Sequence, residues 1–156
     1  MIRLNQNKIN KILAVTLFLS SFCFSQNNPS QDVEKPIRNL FLGMKNADQE
    51  SLKSAFWETA ILQTITKDGM VKTENIPDFI SSISKASKDD LDERVTIESI
   101  HIDGNLASVF TPYQFYYKGK FLHCGANSFQ LVKQNNVWKI QYLIDTRRKE
   151  NCENSK

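Results

Sequence analysis

The chain has 156 residues, room for one ordinary domain and not two. With 40% hydrophobic and 24% charged residues, it fits neither a disordered chain nor a membrane bundle. Its formal charge of +3 conceals a neutral body. Three of the 20 basic residues (Arg3, Lys8 and Lys11) lie in a first segment without acids, and the rest of the chain balances 17 against 17. That excludes the electrostatic footprint of nucleic-acid binding and of attachment to anionic membrane.

Residues 1–11 are polar with only positive charge, Ile12 to Phe24 (ILAVTLFLSSFCF) is mostly apolar, and Ser25 precedes the polar stretch QNNPSQ. This order describes a signal peptide over residues 1–25, so the mature protein is expected to be periplasmic or secreted. The apolar run is short of the roughly 20 residues a membrane span needs. Bulky Phe22 also argues against a lipid anchor on Cys23. No membrane contact is expected after cleavage. Export would place Cys124 and Cys152 where disulfides persist, leaving a choice between a disulfide and two buried thiols. His101 and His123 do not stand at zinc-ligand spacing with them, so no metal site is expected. No phosphate loop, nucleophile elbow or cofactor motif occurs.

In chain order, residues 26–31 read as a flexible lead-in and residues 32–156 as a single domain. Val33, Ile37, Leu40, Phe41 and Met44 mark one face of a helix, with Pro36 tolerated in its first turn. Asp48 is placed to cap a short second helix carrying Leu52, Ala55 and Phe56. Ala60 to Thr66 reads as a strand ending at the turn Asp68-Gly69. Asn75 and Pro77 open a third helix with Phe79, Ile80 and Ile83 as its buried stripe. Lys85 to Arg94 mixes charges densely and reads as a solvated connection. Four strands follow, Val95 to Asp103, Leu106 to Lys118, Lys120 to Lys133 and Val137 to Arg147. Gly104-Asn105, Gly119 and Asn135-Asn136 separate them, residues that accept positive φ cheaply. Helices first and an antiparallel meander afterwards make an α+β domain.

A two-residue turn at Asn135-Asn136 sets Lys133 opposite Trp138, Leu131 opposite Ile140 and Phe129 opposite Tyr142. Alternation then gathers Phe121, His123, Gly125, Asn127, Phe129 and Leu131 on one face, with Trp138, Ile140, Tyr142 and Ile144. Asp145 falls on the opposite face, and Cys124 stands opposite Arg147. The first face is the inner one, and His123 and Asn127 are polar groups set into an apolar wall.

Three helices and a meander carried by VEKPIRNLFLGMKNAD, FWETAILQTI, ENIPDFISSI, IDGNLASVFTPYQFYYKGKFLHCGANSFQLVK and WKIQYLIDTRR resemble the nuclear transport factor 2-like superfamily. More narrowly, the chain resembles its exported bacterial SnoaL-like and "putative lumazine-binding" members. The resemblance covers Val33 to Cys152. It implies a cone in which a strongly curved sheet wraps the helices and leaves one pocket, and pairing into a homodimer through the outer sheet face. In scytalone dehydratase-like and SnoaL-like enzymes, His and Asp inside the cone perform acid–base work. Here His123 is the candidate imidazole, and a pair with Asp145 would require a bulge.

The fold does not fix the function. The expected pocket residues are His123, Asn127, Phe129, Tyr142, Tyr113, Trp57 and Arg148. Tyr113 opens the aromatic run Tyr113, Phe115, Tyr116 and Tyr117, about half of which should face inward. Arg147 or Arg148 would hold a ligand anion at the mouth, and Arg148 is preferred because it shares the His123 face. His123 is the candidate for proton transfer. The reading preferred is an exported module binding a small apolar or aromatic molecule. The alternatives are an acid–base enzyme (dehydratase, isomerase or hydrolase) using His123, or an interaction domain whose cone is filled by its own side chains.

Overall fold

Local capping chemistry sets where each helix begins. The computed structural model describes residues 28–152, so the expected export segment lies outside the described residues. Helix α1 (Pro29–Asn46) starts three residues before Asp32, inside the expected lead-in. The Asn28 side chain accepts a hydrogen bond from the Ser30 N–H at 3.1 Å, and Pro29 supplies a helical φ in the first turn. Its buried stripe is Val33, Pro36, Ile37, Leu40, Phe41, Gly43 and Met44. Ala47 then takes a left-handed φ of 53°, and the Asp48 N–H closes the helix on the Gly43 carbonyl at 2.8 Å. Asp48 next caps α2 (Gln49–Ala55), accepting from the N–H groups of Glu50 and Ser51. A Cβ on Gly43 would stand 3.0 Å from Leu52 Cγ, so glycine lets α1 and α2 cross closely.

Strand β1 (Phe56–Ile65) begins directly after α2, four residues ahead of the expected Ala60. It turns at Asp68-Gly69 into β2 (Val71–Glu74), an exposed edge strand that the sequence reading did not include. Helix α3 (Ile76–Ile83) is capped by Asn75 as expected, its Oδ1 accepting the Asp78 N–H at 3.0 Å. The expected solvated connection ends in a strand, β3 (Leu91–Val95). Its alternation puts Leu91, Glu93 and Val95 on one side, and the charged neighbours Asp92 and Arg94 hid that period. The meander is β4 (Ser99–Asp103), β5 (Leu106–Tyr117), β6 (Lys120–Gln134) and β7 (Val137–Thr146).

The seven strands form one curved, unclosed sheet in the order β2-β1-β7-β6-β5-β3, with β4 also on β5. β1 runs parallel to β7, and the other pairings are antiparallel. β3 and β4 share one edge of β5. Between them the Thr96 and Glu98 N–H groups bond the Pro112 and Phe110 carbonyls. Helix α1 lies against β3 and β7, burying its stripe on the sheet's inner face. Val33, Ile37, Leu40, Leu52, Phe129 and Ile140 are at most 1% exposed. Each contributes about 1.5–3 kcal/mol by leaving water. This is the nuclear transport factor 2-like architecture, three helices among the described residues on a mainly antiparallel sheet.

Candidate functional site

Two single-residue insertions shape the inner wall. From the Asn135-Asn136 turn, β6 and β7 keep the expected register as far as Leu131 opposite Ile140. Gln141 is then an extra residue on β7, so Gln130 faces Tyr142, Phe129 faces Leu143 and Asn127 faces Asp145. This bulge corrects the expected pairing of Phe129 with Tyr142. It turns Tyr142 and Ile144 away from the inner face and brings Leu143, Asp145 and Arg147 onto it. The second insertion is Leu122 on β6, where Phe115 faces His123 but Tyr116 faces Phe121. Phe121, expected inside beside His123, is therefore 45% exposed.

Asp145 is only 7% exposed. It accepts hydrogen bonds from the Thr64 hydroxyl and from Arg147 Nε at 2.9 Å, and the Tyr113 oxygen stands 3.3 Å away. Arg147 Nη2 also donates to Thr64 Oγ1 at 2.9 Å, closing a ring of three side chains. Pairing of this kind is what makes a buried carboxylate tolerable.

Tyr113 is the hub. Its hydroxyl donates to the Thr146 carbonyl at 2.9 Å and stands 3.3 Å from His123 Nδ1. A phenol has one proton to give, so its oxygen accepts from a protonated Nδ1 and leaves Nε2 of His123 as the acceptor. The imidazole stacks on Phe115 with ring centroids 5.1 Å apart and meets Tyr113 edge-on. Gly125 makes this possible. A Cβ there would fall 1.8 Å from the Thr146 carbonyl oxygen and 2.7 Å from Tyr113 Cε1.

Across the wall, Asn127 Nδ2 donates to Glu93 Oε1 at 2.9 Å. These groups meet in a cavity of about 290 Å³, at the lower end of the usual range for small-molecule sites. Leu40, Phe41, Met44, Leu62, Phe79 and Ile83 give it apolar walls, while Glu93, Asn127, Asp145, Arg147, Tyr113 and His123 gather its polar groups. Burial raises the Glu93 carboxyl from 4.5 to about 7, helped by the Asp145 charge and opposed by the Asn127 bond. The His123 pKa is lowered, first by burial and then by the Arg147 charge. Burial, then the charges of Glu93 and Asp145, raises Tyr113 and keeps its phenol protonated.

Of the residues expected at the pocket, the structure brings His123, Asn127 and Tyr113 together on its wall. Phe129 is fully buried in the core, edge-on to Phe41. Tyr142 is on the outer side, donating to Gln63 Oε1 at 2.8 Å, because of the Gln141 bulge. The same bulge exchanges the two arginines. Arg147 lines the cavity, whereas Arg148 is exposed and pairs through its backbone with Cys124, which was expected to face Arg147. Trp57 donates to the Val132 carbonyl at 2.9 Å and borders a separate open groove between α2, β1 and α3. Cys124 and Cys152 form a disulfide with their Cα atoms 5.6 Å apart, tying the end of the described residues to β6. Of the remaining aromatic run, Phe115 lines the cavity, Tyr116 carries Arg94 over its ring and Tyr117 is exposed.

Glu93 and Thr64 were not expected at the site, Arg148 was preferred to Arg147, and Asp145 was expected on the other face. The alternation Leu91-Glu93-Val95 was the available signal for Glu93. Among the described residues, no group of three or more His, Cys, Asp or Glu side chains is arranged to hold a metal ion.

Comparison with known proteins adds a family and a fold. The model of the family described as "Putative lumazine-binding" matches residues 28–142. An NTF2-like protein of unknown function from Shewanella baltica OS155 superposes with a TM-score of 0.63 at 17% identity, covering 78% of this chain and 94% of that one. A second such protein, from Silicibacter pomeroyi DSS-3, gives 0.59 at 15% identity, covering 90% and 98%. A hexachlorocyclohexane dehydrochlorinase from Novosphingobium barchaimii LL02 gives 0.61 at 11% identity, covering 76% and 86%. No curated protein matches the sequence.

Proposed function

The chain belongs to the "Putative lumazine-binding" family, and from that membership and the cavity's geometry we propose that it binds a small molecule with an apolar body and a polar edge. The observation that carries this reading is the division of the cavity into aliphatic and aromatic walls and one convergent polar patch. Neutral His123 offers a single acceptor there, enough to orient a ligand without demanding a charge. The family description names lumazine, which makes it the first molecule to titrate. Its binding should raise the melting temperature of the protein. Ser82, an exposed residue lining the cavity, is the place to block it. In Ser82→Trp the shift should vanish while the unliganded protein still melts cooperatively. Equal shifts in both proteins would remove the cavity from the proposal. Native mass spectrometry of the purified protein, searching for a retained ligand, extends the test beyond lumazine.

Acid–base catalysis is a second reading, supported by the Tyr113 hydroxyl standing between His123 and Asp145. In it Nε2 of His123 takes a proton from the substrate, with Asp145 stabilising the imidazolium through Tyr113. That a dehydrochlorinase shares the fold also supports it. The geometry favours binding, because the imidazole meets a hydroxyl and not a carboxylate. Catalysis requires His123→Ala to abolish turnover of a bound compound, whereas a binding module changes only affinity.

Export and homodimer formation belong to the same proposal. The positive start and short apolar run support export, and a disulfide suits an oxidising compartment. The exposed apolar residues Ile61, Phe110 and Leu122 support pairing. A mature protein beginning near Gln26 and sedimenting at twice its mass is the expected result. An intact Met1, or a clean monomer at micromolar concentration, would overturn the respective part.

A further inference from the structure

We propose that Glu93 and Asn127 together read the edge of the ligand and select a flat ring carrying a cyclic amide, an N–H beside a C=O. This rests on the cavity being a ligand site. Three observations lead to it. The two side chains come from strands not adjacent in the sheet, β3 and β6, and meet only over the cavity. Their mutual bond uses one Asn127 N–H and one Glu93 oxygen, leaving Asn127 Oδ1 and Glu93 Oε2 without a protein partner among the described residues. Finally, both residues line the cavity between apolar walls that would hold the faces of a flat ring.

The charges around Glu93 settle which hydrogens are present. Asp145 of β7, Arg147 just beyond its end, Tyr113 of β5 and His123 of β6 face it, and Glu74 lines the cavity from β2. Asp145 and Arg147 neutralise each other through their ion pair at 2.9 Å. On β3 itself, Asp92 pairs with Lys45 of α1 and with Arg94, so that lysine is engaged elsewhere. Glu93 thus has no cation of its own, and its carboxyl is held protonated up to about pH 7. A protonated Glu93 donates from Oε2 while Asn127 Oδ1 accepts, the complement of an amide's C=O and N–H. Ionisation turns the donor into an acceptor and sets Glu93 Oε2 against the ligand carbonyl oxygen. Buried polar groups left unpaired then exclude rings that lack the amide.

The test uses two bicyclic rings of similar size, quinazoline-2,4-dione with the amide edge and quinoxaline without it. Wild type should bind the dione about tenfold more tightly at pH 6, the effect of one to two net hydrogen bonds. The preference should shrink several-fold at pH 8. Glu93→Gln, which keeps a donor at any pH, should retain the preference and lose the pH dependence. Asn127→Ala should lose the preference at both pH values, with circular dichroism confirming its fold. Should Asn127→Ala fail to fold, the wild-type and Glu93→Gln measurements decide. Equal binding of the two rings, or a preference indifferent to pH in wild type, overturns the edge while leaving the cavity a ligand site. Absence of binding by either ring overturns the edge as well, and only a retained or lumazine-type ligand blocked by Ser82→Trp would then sustain the cavity.

Discussion

The β6–β7 ladder has two ends built from the same two strands, one dry and one polar. Toward the turn, Phe129, Leu131, Trp138 and Ile140 fill the inner face and are no more than 8% exposed. Toward the other end the same face presents His123, Asn127, Asp145 and Arg147 to a cavity. Gln141 divides them. Were Gln141 paired in the ladder instead of bulged out of it, strict alternation would continue the apolar face through Tyr142 and Ile144 and turn Asp145 outward. A bulge therefore converts core into site without any new element. The Asp145 carboxylate is tolerated because Thr64 and Arg147 donate to it.

Deleting Gln141 together with Tyr142 attacks the comparison most directly. Removal of Gln141 alone would keep the observed pairs, whereas removal of both changes the parity of β7, turning Leu143 outward and expelling Asp145 from its partners. The lost aliphatic burial and the broken pair together should cost about 5 kcal/mol, comparable to the whole stability of a marginal domain. Chemical denaturation should show a protein largely unfolded or molten. A native-like midpoint would mean that the bulge is not what separates the two ends. Phe129→Ala probes the dry end. Its ring is fully buried against Phe41 and does not line the cavity, so truncation should cost about 4 kcal/mol. Ligand affinity of the folded fraction should remain unchanged. A matching loss of affinity would show that the two ends are one unit.

Cys152→Ser tests the polar end from its covalent side. The bridge closes 28 residues of chain, and its loss should cost about 3.5 kcal/mol in the chain-entropy model. The loosening should be local. The Cys124 and Arg148 amides, now bonded to each other's carbonyls at 2.9 and 2.8 Å, should lose hydrogen-exchange protection before the amides around Leu131 and Ile140. Uniform loss along both strands would contradict a division at Gln141.

The legibility of these two ends from sequence also differs, for a physical reason. The dry end was readable as far as Leu131 and Ile140, because Asn135-Asn136 fixes the turn and hydrophobic burial fixes the face, whereas Phe129 was expected at the pocket and opposite Tyr142. The helix starts at Asp48 and Asn75 were readable because capping needs a particular side chain at one position. The polar end was not. Beyond Gln141 both faces of β7 are apolar, with Leu143 on one and Tyr142 and Ile144 on the other, so no pattern marks a change of parity. That ambiguity misplaced Asp145 and selected Arg148 over Arg147. Glu93 was lost differently, as an acid in a charge-dense run whose inward position depends on pairing β3 with residues some 20 positions later. His123, Asn127 and Tyr113 were legible because they precede the bulge and sit in a regular alternation.

A pH titration of stability gives the smallest effect and the sharpest contrast. Glu93 ionises at about 7 when folded and near 4.5 when unfolded. Between those values the native state holds a proton that the unfolded chain has released, so stability falls as pH rises through this window. His123 acts in the opposite sense. Its lowered pKa means that the unfolded chain binds the proton first, so stability is lost as pH drops below its ordinary 6.5. The two slopes partly cancel in wild type, and single variants separate them. Glu93→Gln should remove the decline toward alkaline pH, and His123→Asn the decline toward acid. The Glu93 decline amounts to about 1 kcal/mol between pH 5 and 8, once partial exposure to the cavity is allowed for, and the His123 decline is read by its sign. The dry end carries no titratable group on its inner face, so Phe129→Ala should lower stability by the same amount at every pH. Denaturant midpoints at four pH values for the three variants decide it. If Glu93→Gln follows the wild-type curve throughout, Glu93 is not the group held neutral in the cavity.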